Sequence, residues 1–206
     1  MFFKNASELD IWYFDNVIAY PRIERADWNL DGMDENGKDL QIQRAVRRGM
    51  AVHWEYAKSL APSILLMGNT DSDLSLPEFA GRLHGAFLEG LMGHTWSIEH
   101  SAGWGKMMDR YHNVFANLIA PKLVGFNVAG RVDNYRFFRY AFTSCLLDNG
   151  HFSYTDEKVG YSSVPWFDEY DAKLGLAIDP PQLAAWQSHV YPASVREGHG
   201  AGESHR

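Results

Sequence analysis

The chain has 206 residues, 46% of them hydrophobic and 14% aromatic, enough to bury the core of one domain. Its formal net charge of −7 argues against a nucleic-acid surface, which needs a concentrated basic patch. A lone cysteine, Cys145, excludes an intrachain disulfide and a CxxC metal site, and its apolar helical setting reads as a buried thiol. No apolar run reaches the ~18 residues of a membrane span, and Met1 to Asn5 lacks the apolar core of a signal peptide. Neither a membrane nor a nucleic acid is therefore expected as a partner, and no compartment is read from the chain.

Taken in order, Ile11-Trp12-Tyr13-Phe14 runs into Asp15 and Asn16. A short run of bulky, strand-favouring residues reads as a strand of a parallel sheet, covered on both faces and so free of alternation. Asp15 then stands at the strand's C-terminal end, where α/β folds place their chemistry. The following loop holds Asp27-Trp28-Asn29-Leu30-Asp31-Gly32, with Glu35 at the ninth position. Asp27, Asn29, Asp31 and Glu35 offer oxygen ligands at calcium-loop spacing, with glycine at the sharp turn. Lys38 stands where an EF-hand needs a bidentate Glu, so the alternatives are a looser structural calcium loop or an ion-free loop of Asx turns.

From Asp39 to Ala61 the apolar residues recur at helical spacing, and Pro62 ends the run. Arg44, Arg47 and Arg48, the only cationic cluster, read as its solvated face. His53 reads as a histidine at the core edge. Ser63 to Asn69 is the second strand. Ser75 and Glu78 have capping-box spacing and open a short helix closing near His84. Gly85 to Gly90 is the third strand, ending on Glu89. Trp104 to Ile119 is an amphipathic helix stopped by Pro121, and Leu123 to Asn127 is the fourth strand. Asp133 is placed to cap a helix running to about Asp148, with Asn149-Gly150 as a left-handed stop. His151 to Tyr154 is the fifth strand. The alternation predicts an α/β fold with a parallel sheet and crossover helices. Residues 1–180 read as the domain and 181–206 as a disordered tail.

Asp15 and Glu89 are the two acids at strand ends, and two converging carboxylates are the minimum set for glycoside hydrolysis. Each also reads simply as a helix cap or an arginine partner. Asn16, Asn69, Trp96, Asn127 and Tyr154 lie at or after strand ends as candidate sugar contacts, the aromatics by stacking on ring faces; Trp104 and Trp166 are further aromatics of this kind. His94, Glu99 and His100 carry metal-capable side chains without zinc-hydrolase spacing.

Several of these segments come in an order that resembles a family. They are Tyr13-Phe14-Asp15-Asn16, Asp27-x-Asn29-x-Asp31-Gly32, Met67-Gly68-Asn69 and Phe87-Leu88-Glu89-Gly90. Leu146-Leu147-x-x-Gly150-His151-Phe152-x-Tyr154 and Trp166-Phe167-Asp168-Glu169-Tyr170-x-x-x-Leu174-Gly175 follow. From about residue 9 to 178 the chain resembles bacterial glycoside hydrolases catalogued as hypothetical glycosyl hydrolase family fifteen. The resemblance implies a (β/α)8 TIM barrel, here represented by strands four to eight. Dextranases have a similar Asp after strand four and Glu after strand six, and related α-galactosidases have an Asp at each. It further implies Asp15 as nucleophile and Glu89 as general acid/base, in a retaining attack on a poly- or oligosaccharide that requires no cofactor. Strands one to three have no counterpart, so the expectation is a partial barrel, with Met1 internal to a longer protein. The competing expectations are a non-catalytic barrel remnant, self-associating through its open sheet edges, and a carbohydrate-binding protein.

Overall fold

The computed structural model describes residues 8–70, 72–177 and 195–197. In chain order these form β1 (Ile11–Phe14), β2 (Arg25–Ala26), β3 (Glu35–Asn36), α1 (Leu40–Leu60), β4 (Leu65–Asn69) and β5 (Gly85–Met92). There follow α2 (Ile98–Ala102), α3 (Trp104–Asn117), β6 (Leu123–Gly130), α4 (Tyr135–Cys145) and β7 (His151–Asp156). A 3-10 turn at Asp168–Asp171, β8 (Leu174–Ala177) and β9 (Val195–Glu197) complete them. Within the segment read as a disordered tail, β9 pairs antiparallel with β8; the rest of it lies outside the described residues.

The sheet has five parallel strands in the order β1-β4-β5-β6-β7, each new strand joining the same growing edge. The α/β class is as expected. Among the described residues a closed barrel is not formed: β1 and β7 each pair with one sheet strand only, and the sheet stays open between them. No helix among the described residues is long and apolar enough to cross a membrane.

The pleat divides each strand between two environments. Trp12, Phe14, Leu66, Ala86, Leu88, Val124, Phe126 and Phe152 belong to the core, with Trp54 of α1, Met107 and Tyr111 of α3 and Phe138 of α4. Ring contacts knit the layers: Trp54 lies 6.4 Å from Phe14, and Tyr111 meets Phe126 edge-on at 5.0 Å. The opposite face carries Tyr13, Phe87, Glu89 and Asn127. Gly125 leaves room there for the Phe87 ring, which a Cβ would strike. That face is only half-covered, so β1 alternates, with Ile11 and Tyr13 exposed. This corrects the expectation of a strand buried on both sides; β1 is an edge strand with helices on one face.

Four local expectations are also corrected. Residues 75–84 form turns, not a helix, because Ser75 bonds Asp73 and Glu78 is taken by Arg47. Arg47 does not lie on a solvated face: it is buried, pairs with Glu78 at 2.9 Å and donates to the Ala19 carbonyl, tying α1 to two loops. The cap of α4 is Asn134, which accepts the Phe137 N–H, while Asp133 pairs with Arg131. The helix ends at Cys145, and neither Asn149 nor Gly150 has positive φ. Gly150 is needed for space instead, since a Cβ would collide with the Tyr111 hydroxyl. Cys145 is buried, and burial pushes its thiol up to about 12.

Candidate functional site

The register sets which polar groups meet. Phe14 pairs with Gly68, so Asp15 falls beside Asn69, and Asn69 in turn pairs with Phe87, two residues before Glu89. The ladder between β5 and β6 is irregular between Leu88 and Met92, so Glu89 sits at a bulge, a device that re-aims side chains. Asn69 Nδ2 donates to Asp15 Oδ1 at 3.1 Å and to Glu89 Oε2 at 3.1 Å. Because both acceptor oxygens bond the one amide nitrogen at 3.1 Å, they lie no more than about 6.2 Å apart.

Asn16 reinforces Asp15, its Nδ2 donating to Oδ2 at 2.8 Å from a left-handed backbone with φ 54. Asn127 is buried and spends its amide hydrogens on Ser153 Oγ and Thr155 Oγ1. Two phenols flank the acids. Tyr13 lies on β1, and burial together with the charges of Asp15 and Glu89 raises its pKa above the ordinary value. Tyr161, on the loop after β7, donates to Glu89 Oε1 at 2.5 Å and approaches Asn127 Oδ1 at 3.5 Å. Burial, that bond and the Glu89 charge raise its pKa well beyond the usual tyrosine range.

Two clefts open on Glu89, the larger of them on Asp15 as well. The larger, about 770 Å³, is lined by Asp15, Asn16, Asn69, Glu89, Trp96 and Arg110, among others. The smaller, about 370 Å³, is lined by Glu89, His94, Trp96, Asn127, Glu157 and Tyr161, among others. Glu89 and Trp96 border both. Trp96 is 59% exposed and stacks on His94 with centroids 4.5 Å apart, so its indole is presented as a flat plate. A further hollow of about 720 Å³ between α3 and α4 contains no comparable acid pair.

Asp15, Asn16, Asn69, Glu89, Trp96 and Asn127 are thus brought together. Tyr154 is not. It is 4% exposed, packs on Phe138 and Phe167 and donates to the Arg131 carbonyl. Burial, with nearby acids, moves its phenol up to about 12. Its neighbours Ser153 and Thr155 point to the site face, so strand parity assigns Tyr154 to the core. Trp104 is also structural, its indole N–H bonding Ser144, and Trp166 lines neither cleft. Tyr161 was not a sequence candidate; its signal was an aromatic residue in the loop after a sheet strand.

Comparison of the chain with family models, curated proteins and solved structures gave no match. The chemistry of the site therefore rests on its geometry.

The Asp27 loop is the turn of the β2-β3 hairpin. Oxygens of Asp27, Asp31 and Glu35 lie within 4.8 Å of one another. Asp27 also accepts the N–H groups of Asp31 and Gly32, Asn29 Oδ1 accepts the Asp31 N–H, and Glu35 accepts the Trp28 N–H. Hard oxygen donors of this kind suit calcium. His94, Glu99 and His100 form no such cluster among the described residues.

Proposed function

We propose that the protein is a retaining glycoside hydrolase acting on a poly- or oligosaccharide, and that its sheet is an arc of a (β/α)8 barrel equivalent to strands four to eight. The observation that carries the reading is the Asn69 amide, which bonds both Asp15 and Glu89 and so keeps the two bridged oxygens within about 6.2 Å, short of the ~6.5–9.5 Å at which inverting pairs stand. The sequential strand order and the single helical layer support the barrel arc.

In this reading Asp15 attacks the anomeric carbon as the glycosidic C–O bond breaks, and Glu89 gives its proton to the leaving oxygen. Glu89 then takes a proton from water, which attacks the glycosyl-Asp15 ester and frees Asp15 with net retention. Trp96, bordering both clefts, offers an apolar plate to a sugar ring. No cofactor enters either step.

The test is release of reducing ends from a panel of soluble α- and β-glucans, xylans, mannans and galactans. Wild type is expected to cleave at least one member, and Asp15→Asn and Glu89→Gln to lose at least ~10³-fold. Binding without cleavage would identify a carbohydrate-binding protein instead. Activity surviving both substitutions would overturn the assignment.

We also infer that the β2-β3 turn holds a structural calcium through Asp27, Asn29, Asp31 and Glu35, supported by the convergence of three carboxylates. Calcium titration of the melting temperature tests it.

A further inference from the structure

We propose that Tyr161 is a positioning residue for Glu89, fixing its carboxylate where the two clefts meet; this rests on the glycoside hydrolase reading. The hydroxyl lies 2.5 Å from Glu89 Oε1, while Asn69 holds Oε2 from the other side. A carboxyl group gripped at both oxygens loses its rotamer freedom, yet each oxygen keeps a further site, one of which can carry the proton that Glu89 gives to the leaving oxygen and later takes from water. The grip comes from residues on separate elements. Asn69 ends β4, whereas Tyr161 follows β7 and reaches over Asn127 of β6. Gly160, with φ 60, turns the loop so that this reach is made.

The phenol also forms part of the smaller cleft, with His94, Asp156 and Glu157 around it and Tyr13 across Glu89. A leaving group seated there would contact the ring while its oxygen met Glu89. Positioning to within a fraction of an ångström is worth large factors in rate, so losing the hydroxyl should act on the chemical step more than on binding.

Tyr161→Phe keeps the ring and removes the hydroxyl. On the glycan that wild type cleaves, kcat is expected to fall about 10- to 50-fold with KM within about threefold. Tyr161→Ala should additionally raise KM. A Tyr161→Phe enzyme with kcat within twofold of wild type would overturn the proposal and leave the ring as mere packing.

A readout that needs no substrate is the alkaline absorbance titration of wild type minus Tyr161→Phe, which isolates this one phenol. Its midpoint is expected above the ordinary value near ~10, and about one pH unit lower in Glu89→Gln than in wild type. A midpoint at the ordinary value would remove the contact and overturn the proposal. A displaced midpoint in a protein that cleaves no glycan would overturn the hydrolase reading, and the positioning role with it.

Discussion

Replacing Asn69 by alanine removes an amide bonded to both carboxylates, and the size of the effect follows from the geometry. Each bond is 3.1 Å long, and a hydrogen bond to an ionised acceptor contributes roughly 1.5–3 kcal/mol. Asp15 is exposed, which favours the lower end. With the amide gone the two side chains are free to separate. Loss of about 1.5–3 kcal/mol of transition-state positioning predicts that Asn69→Ala lowers kcat/KM roughly 10- to 100-fold. The assay is initial-rate release of reducing ends from the glycan that wild type cleaves, with the melting transition as a control for folding. Asn69→Asp, which adds a third carboxylate, should fall further. An Asn69→Ala enzyme within threefold of wild type would refute the bridging argument.

Breaking the part-buried Arg47–Glu78 pair with Arg47→Met should cost about 1–3 kcal/mol at neutral pH, read as a melting temperature roughly 2–12 °C lower. Because Arg47 holds the Glu78 carboxyl below its ordinary range, its stabilisation is present above the unfolded value near ~4.3 and is lost as pH falls through the folded value. The stability gap between wild type and Glu78→Gln should therefore be full above about pH 5 and close in stronger acid; a gap that persists in acid contradicts it. Calcium at about 100 times its dissociation constant should stabilise wild type by about 2.7 kcal/mol and leave Asp31→Ala unmoved, as followed by thermal melts. The open edges of β1 and β7 predict concentration-dependent self-association in sedimentation runs, and a strict monomer at all loadings would exclude pairing through them.

Much of the framework was legible because its signals are local. Each sheet strand contains a short apolar run, though β5 and β6 extend three residues past the polar residue read as their end, and α1 and α3 carry a clear helical stripe. Asp15 and Asn69 followed from position alone, since parallel strands deliver their ends to one edge, whereas Glu89 is not a strand end: β5 runs on to Met92, and an irregular ladder presents Glu89 beside the other two. What escaped depends on distant partners. The Ser75–Glu78 spacing mimics a cap, but Glu78 is claimed by an arginine 31 positions earlier. Tyr154 reads as a sugar contact because it is an aromatic at the apparent end of a strand, but β7 runs on to Asp156 and its alternation turns Tyr154 to the core. Tyr161 meets Glu89 across 72 positions, a contact that no local pattern encodes.

The most direct test of the central claim is the configuration of the first sugar released, read by proton NMR before mutarotation. Asp15 and Glu89 joined by one amide predict a product that keeps the anomeric configuration of the substrate, with Asp15→Asn abolishing its formation. A first product of inverted configuration, or one formed undiminished by Asp15→Asn, would contradict it.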